Sequence, residues 1–254
     1  MTHERTENYQ FIQVPHRHIA QRIFKVDTLT STNRILLENP SDTYQSGDVL
    51  WSLEQTAGHG RFNRSWFSEK GGLYFSILFE DIPNLSSFYP FVLLCALAIR
   101  NTLAKKTTEN IFSIKWPNDV YSNHHKIAGI LIQSCSLGKV SRAVIGIGIN
   151  INNPIQHLQA LHTPAISLCE ITGQQEPLEP LLQDILDTIN SYYIDFINNR
   201  FSLYLPALNR ALYSKDMPLL LAETKRQRIV IPKEFTKEGY LLCEENGKTV
   251  ILMI

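Results

Sequence analysis

Between Gly58 and Arg64 the chain reads GHGRFNR, which sets two glycines, His59, Arg61 and Arg64 within seven residues just ahead of Trp66. Gly58 and Gly60 remove side chains where backbone must approach a ligand or adopt positive φ. Arg61 and Arg64 carry forked donors that match carboxylate or phosphate oxygens. Trp66 offers a broad face to a base ring. Such a segment is suited to closing over a nucleotide phosphate and an activated acid. The competing reading is a mobile surface hairpin with scattered arginines and a core tryptophan, since a glycine-rich basic loop is a weak motif by itself.

Three further stretches carry candidate chemistry. In KWPNDV, Pro117 fixes the backbone direction after a strand and sets Asn118 and Asp119 at its exit. An amide and a carboxylate there could hold a ribose, a polarised water or a metal; Pro-Asn-Asp is also ordinary turn chemistry. In KIAGILIQ, Lys126 opens an apolar strand that contains Gly129. A strand-interior glycine often marks a close approach by something else, and a lysine at that mouth can neutralise charge on a carboxylate attacking a phosphate. A strand-entry lysine pointing to solvent is the alternative. GIGININ is a glycine-broken strand ending in asparagines. It is not a dinucleotide fingerprint, because no helix with that spacing follows; Asn150 reaches a ligand from the strand end or forms a turn.

The elements that position these residues follow from periodicity. RIFKVDTLTSTNRILLENP reads as a strand, a polar turn and a helix capped near Ser31 or Thr32 and ended by Asn39-Pro40. DVLWSLEQT and GLYFSILF read as strands on either side of the Gly/Arg loop. Residues 86–106 have helical length, with Ser86 or Ser87 as cap and lysines at the far end. Residues 112–152 read as three strands joined by turns at Asn123-His124 and Leu137-Gly138, and Pro177 to about Ile197 as a long amphipathic helix. After residue 212 the chain changes to short β-like runs with a hairpin signal at Asn246-Gly247. The expectation is an α+β fold: a mixed β-sheet backed by helices over 1–212, and a small β-barrel over 213–254 that needs docking or good closure to be stable.

Lys and Arg total 24, as do Asp and Glu, so the global charge points to neither a nucleic-acid nor a membrane partner. Anion binding must come from local clustering. The longest apolar stretch, FYPFVLLCALAI, falls short of the roughly 20 residues that span a bilayer. Four scattered cysteines without CxxC spacing argue against a disulfide scaffold or zinc site. The N-terminus has no apolar core like that of a signal peptide. A cytoplasmic protein is expected.

Taken together, STN (Ser31–Asn33), EQTAGHGR…RSW (Glu54–Trp66), KWPND (Lys115–Asp119), KIAGILI (Lys126–Ile132), GIGIN (Gly146–Asn150) and AISL (Ala165–Leu168) resemble, in order, the motifs of biotin–protein ligases. The resemblance spans about residues 22–200, and the β appendage resembles that family's C-terminal SH3-like barrel. It implies a catalytic core related to class II aminoacyl-tRNA synthetases. The implied activity joins biotin to AMP with ATP and Mg²⁺, then transfers biotin to one lysine of a biotin carboxyl carrier domain.

Residue by residue, the resemblance implies that Ser31, Thr32, Asn33 and Gln55 hold the biotin ureido ring. Gly58, His59, Gly60 and Arg61 belong to the loop that orders over the adenylate. Arg64, Trp66, Asn118, Asp119 and Asn150 serve the nucleotide, with Asp119 at the metal. Lys126 lies at the reacting carboxylate, and the Gly129 backbone lies against the bicycle. The family's usual loop reads GRGRxGR; here His59 replaces the first arginine and Asn63 the later glycine, and Gln133 stands where many members carry glutamate. With STN near residue 31, an N-terminal DNA-binding winged helix is not expected, and neither is repressor function. Dimerisation is known in the family, so a homodimer is a possible assembly. Lipoate and octanoate ligases or transferases of the same fold are the nearest alternative, and a non-catalytic biotin-binding protein is another.

Overall fold

The computed structural model describes residues 9–38, 43–82, 84–109, 111–137, 140–159, 161, 163–223 and 226–253. In chain order the elements are β1 (Gln10–Gln13), β2 (Arg22–Leu29), α1 (Thr32–Glu38), β3 (Val49–Gln55), β4 (Leu73–Glu80), α2 (Tyr89–Ala104), β5 (Phe112–Lys115), β6 (Asp119–Ser122), β7 (His125–Leu137), β8 (Val140–Ile149), α3 (Ile155–Gln159), α4 (Leu168–Thr172), α5 (Leu178–Ile197), α6 (Leu205–Arg210), β9 (Leu219–Glu223), β10 (Arg226–Phe235), β11 (Leu241–Glu245) and β12 (Lys248–Leu252). The first eight strands form one mixed sheet in the order β1-β2-β3-β4-β8-β7-β6-β5, and the last four a second sheet in the order β12-β11-β10-β9. Only β2 and β3 run parallel; the other pairs are antiparallel.

Strand alternation divides the large sheet into two unlike faces. Leu73, Phe75, Ile77 and Phe79 of β4 and Ile145, Ile147 and Ile149 of β8 point to the face covered by α2 and α5. There α2 is buried nearly all round, as a central helix must be. Phe79, Phe88, Phe91, Tyr193 and Phe196 lock α2 and α5 to the sheet through ring contacts. The opposite face carries only α1, whose Leu36 packs with Val26, Leu29, Leu50, Leu78 and Val144. Because α1 has seven residues, it roofs only part of that face. What it leaves open becomes the site.

Several expectations are corrected by the structure. The region from 112 to 152 holds four strands, because the turn Trp116–Asn118, with its cis Trp116–Pro117 peptide, splits the first into β5 and β6. The turn before α2 is capped by Asn84, whose side chain accepts from Ser87 N–H, and not by Ser86 or Ser87. Residues 85–104 are long and apolar enough to cross a bilayer, yet 67% of that window is buried within the fold; this is the core helix. Strand β1 has no signal in the sequence beyond one alternation; Phe11 is half exposed and meets Phe24 edge-on. The expected turn residue Gly138 and the helix stop Asn39-Pro40 lie outside the described residues.

The small sheet docks as anticipated. Val230, Phe235, Leu241, Cys243 and Leu252 join the main core. Asn246 and Gly247 both take positive φ at the β11–β12 turn, as the hairpin signal requires. The β10–β11 turn reaches the large sheet: Trp116 Nε1 donates to Gly239 O at 3.3 Å. At Gly239 a Cβ would come within 3.0 Å of Pro90 N, and φ there is +82°.

Candidate active site

Register lays two rows of residues across the open face. One runs Ser52–Tyr74–Gly148–Gly129–Asp119–Lys115, each residue directly paired with the next. The adjacent row runs Leu50–Ser76–Gly146–Leu131. Three glycines therefore bare one patch of sheet. A Cβ at Gly146 would lie 2.0 Å from Asn33 Oδ1, and one at Gly148 would lie 2.4 Å from Trp66 Nε1. At Gly129 it would meet Trp66 Cζ3 at 2.8 Å. Alternation puts Gly146 and Gly148 of GIGIN on one side by necessity, and register brings Gly129 opposite Gly148.

One end of this patch is a polar cluster. Thr32 N–H donates to Gln55 Oε1 at 2.9 Å, and Gln55 Nε2 donates to Ser68 Oγ at 3.0 Å. Ser76 Oγ lies 2.6 Å from both Thr32 Oγ1 and Asn33 Oδ1, and Asn33 Nδ2 donates to Gln133 Oε1 at 2.9 Å. Ser31, Thr32, Asn33 and Ser76 are all buried. Buried polar groups at this density must satisfy one another or a ligand. The cluster offers donors and acceptors side by side.

The other end holds the charges. Lys126 Nζ lies 2.6 Å from Asp119 Oδ1 and 5.1 Å from the Trp66 ring centroid. Asp119 Oδ1 is buried, and Lys126 is its ion-pair partner. A β-bulge sets the geometry: Val120 pairs with Ala128 but Tyr121 with Lys126, skipping one residue. Ile127 and Ala128 are both fully buried, and Lys126 emerges on the same face as Gly129. Re-aiming a side chain in this way is a common use of bulges. The Pro164–Ile166 segment closes the strand mouth, through Lys126 N–H to Pro164 O and Ile166 N–H to Lys126 O.

The Gly/Arg loop crosses the patch. Trp66 lies over Gly129 and Gly148, and its indole N–H is buried without a partner among the described residues. Arg61 Nη1 donates to Asn118 Oδ1 at 3.4 Å, and Asn118 Nδ2 donates to Ile130 O at 2.6 Å. Beside them a groove is lined by Arg61, Tyr89, Pro117, Asn118 and Leu131. Neither Gly58 nor Gly60 has positive φ; Phe62 and Asn63 do, at 57° and 56°. Asparagine tolerates that conformation, so Asn63 keeps the backbone path that a glycine would allow. Gly58 is needed for space, because a Cβ would meet Ser68 Oγ at 2.5 Å, whereas at Gly60 the nearest atom is 3.5 Å away.

Ser31, Thr32, Asn33, Gln55, Gly58, Arg61, Trp66, Asn118, Asp119, Lys126 and Gly129 are thus gathered on or beside one face. His59 is exposed, its ring turned back onto Ala57 O. The Arg64 side chain is exposed too, outside the cluster. Asn150 is buried at the exit of β8, its backbone tied to Ile127 and Leu168. Sequence reasoning missed Ser76, Gly146, Gly148 and Lys115, which only register brings here, and Ser68, which the Gly/Arg loop sets against Gln55.

A sequence profile of the biotin/lipoate A/B protein ligase family matches residues 24–150, half of the chain. The chain belongs to that family. Among relatives of this ligase-family chain, the bifunctional ligase/repressor BirA of Bacillus subtilis is 31% identical over 188 residues, covering 72% of this chain and 57% of that protein. Its Escherichia coli counterpart is 27% identical over 221 residues, covering 86% and 68%. The chain therefore spans little more than half the length of the Bacillus relative. The biotin protein ligase of Aquifex aeolicus, solved in complex with biotin and ATP, superposes with a TM-score of 0.77 at 26% identity, covering 91% of this chain and 94% of that one.

Proposed function

We propose that the chain is an ATP-dependent biotin–protein ligase, forming biotinyl-5′-AMP and passing biotin to a lysine of a carboxyl carrier domain in the cytoplasm. One observation carries this reading: a donor–acceptor cluster, a glycine-floored trough and a Lys126–Asp119 pair lie in line on one sheet face. That sequence of surfaces fits a ureido ring, a flat bicycle and a carboxylate. A flexible lipoyl or octanoyl chain has no use for the polar cluster at Thr32, Asn33 and Gln55. We place the boundary between the ligase core and the small β-domain at residues 212 and 213.

In the first step a biotin carboxylate oxygen bonds to the α-phosphorus of ATP. The bond to the bridging oxygen breaks, and pyrophosphate leaves with the electron pair. Two anions must be brought together, so Lys126 and Arg61 offset their repulsion in a site screened from water by the loop. Among the described residues no three His, Cys, Asp or Glu side chains converge as a metal site. Mg²⁺ needs no such cage, since one carboxylate plus substrate phosphates holds it. Asp119, whose buried Oδ1 faces Lys126, fits that duty; when bound, the ion would supply charge neutralisation at the phosphates. On this reading Trp66 leaves the trough as the bicycle enters and turns its ring to adenine. In the second step the carrier amine attacks the acyl carbonyl, the C–N bond forms, AMP departs and the amine loses its proton.

ATP–pyrophosphate exchange, run with biotin and then with lipoate, tests the reading. Biotin-dependent exchange supports it, lipoate-dependent exchange makes the chain a lipoate ligase, and biotin binding without exchange makes it a binding protein.

Carrier recognition by strand pairing has a physical basis here. Strand β6 pairs with β7 only as far as Gly129, while β7 continues to Leu137 alongside β8. By alternation the N–H groups of Ile132 and Ser134 follow that of Ile130, which donates outward to Asn118 O. Such an edge accepts another strand. Ser134→Pro removes one outward donor and is sterically tolerated on an edge. Losing one main-chain bond of roughly 0.5–1.5 kcal/mol is expected to weaken carrier transfer about two- to tenfold. Single-turnover assays should show adenylate formation unaltered.

A further inference from the structure

We propose that the outer edge of β1 joins two copies of this chain, the two large sheets continuing into one another through antiparallel β1–β1 pairing centred on Phe11. The inference goes beyond the ligase reading and does not depend on it.

Strand β1 ends the large sheet, and no strand lies on its far side among the described residues. An exposed edge is ordinarily guarded by charge, proline or a bulge. From Tyr9 to Val14 the chain reads YQFIQV, with none of these. The two charged residues of β2 that face β1, Arg22 and Lys25, are each held by a carboxylate, Asp48 and Glu179. The edge therefore presents no like charge to a second copy.

Register fixes how that copy sits. Val14 N–H donates to Gln21 O at 2.9 Å, so in an antiparallel ladder Gln10 and Ile12 also bond inward to β2. Tyr9, Phe11 and Gln13 turn their N–H and C=O groups outward. A two-fold axis normal to the sheet keeps each face on its own side, so only positions of equal parity can pair. Centred on Phe11, the axis sets Phe11 opposite its own copy and Tyr9 opposite Gln13, the outward-facing positions. Each such pair exchanges two main-chain hydrogen bonds.

The side chains agree with this register. Phe11 is 50% exposed and Tyr9 36%, and both meet Phe24 edge-on, with centroids 5.4 and 6.1 Å away. Phe24 in turn packs on the cluster beneath α1. A second Phe11 across the axis covers the open side of these rings at a cross-strand distance where aromatic pairs attract. The carrier is not the occupant, because β1 lies five strands, about 24 Å, from β7 and its Lys126. A carrier strand paired there would sit that far from the reacting centre, whereas a second copy leaves both β7 edges free.

Sedimentation velocity on the full chain across micromolar concentrations tests this, using wild type, Phe11→Glu and Gln13→Pro. Wild type is expected to dimerise. Phe11→Glu sets two carboxylates against each other at the axis, and Gln13→Pro deletes an outward donor without touching the inward ladder. Each should raise the dissociation constant about tenfold or more, and circular dichroism at low concentration checks that the monomers keep their fold. Phe11→Cys reads the register directly. Paired Cα atoms about 5.5 Å apart lie within disulfide reach, so mild oxidation should link two chains through position 11, as peptide mass mapping would reveal. Wild type that stays monomeric overturns the inference, as does a dimer that the folded variants leave intact. If either variant misfolds, absence of the position-11 link overturns it. Loss of carrier transfer in the variants with no change of oligomeric state also overturns it, in favour of the carrier as occupant.

Discussion

Replacing Lys126 by alanine is expected to slow biotin-dependent ATP–pyrophosphate exchange about 10²–10³-fold, the usual cost of removing one preorganised charge from a reacting centre. Lys126 is held by the bulge on the same face as Gly129, against the ring of Trp66 and 2.6 Å from Asp119. Among the described residues no other cation takes that position, since Arg61 reaches Asn118 and Lys115 lies against two tyrosines. Loss of the lysine also leaves Asp119 without its ion-pair partner, which adds a negative charge beside two reacting anions. Thermal unfolding separates a folding defect from a chemical one, because both side chains retain about 20% exposure and neither anchors the core. Exchange within a few-fold of wild type would remove Lys126 from the reaction.

The second large effect concerns a residue with no side chain. Gly146→Ala would set a methyl carbon 2.0 Å from Asn33 Oδ1 and 2.7 Å from Asn33 Cγ. Asn33 is 6% exposed and tied to Ser76 and Gln133, so it cannot yield without losing both partners. The expected destabilisation is about 1–3 kcal/mol for overpacking a filled site, with biotin affinity falling as Thr32 and Asn33 are displaced together. Gly60→Ala, where the nearest atom is 3.5 Å away, should leave the melting temperature unchanged. A Gly146→Ala variant that melts and binds biotin like wild type would show that the floor yields more readily than its contacts imply.

Much of this was legible in the chain because local chemistry dictated it. The alternation of DVLWSLEQ and LYFSILFE, the amphipathic period of α5 and the Asn246-Gly247 turn each fixed an element without help from tertiary contacts. The candidate residues were legible because their types announce anion chemistry. What stayed hidden depends on pairing between distant strands. Lys126 and Gly129 are three apart, which a regular strand places on opposite faces; only the bulge joins them. Ser76 reads as one polar residue in an apolar strand until Asn33 and Thr32 are brought over it. Lys115 reads as the first letter of a turn motif until β5 and β6 pair. The break at Trp116–Asn118 is hidden because Pro117 marks a strand exit locally, and the reversal it permits shows only once β5 and β6 pair.

The contact between Trp116 and Gly239 spans 123 residues of sequence. It makes the C-terminal sheet a buttress for the turn that carries Asn118 and Asp119. A lesion in the β10–β11 connection would therefore surface as an enzymological phenotype, a raised nucleotide requirement, in a protein that otherwise looks sound. Selections for lost biotinylation should recover such alleles far downstream of every motif that names the family.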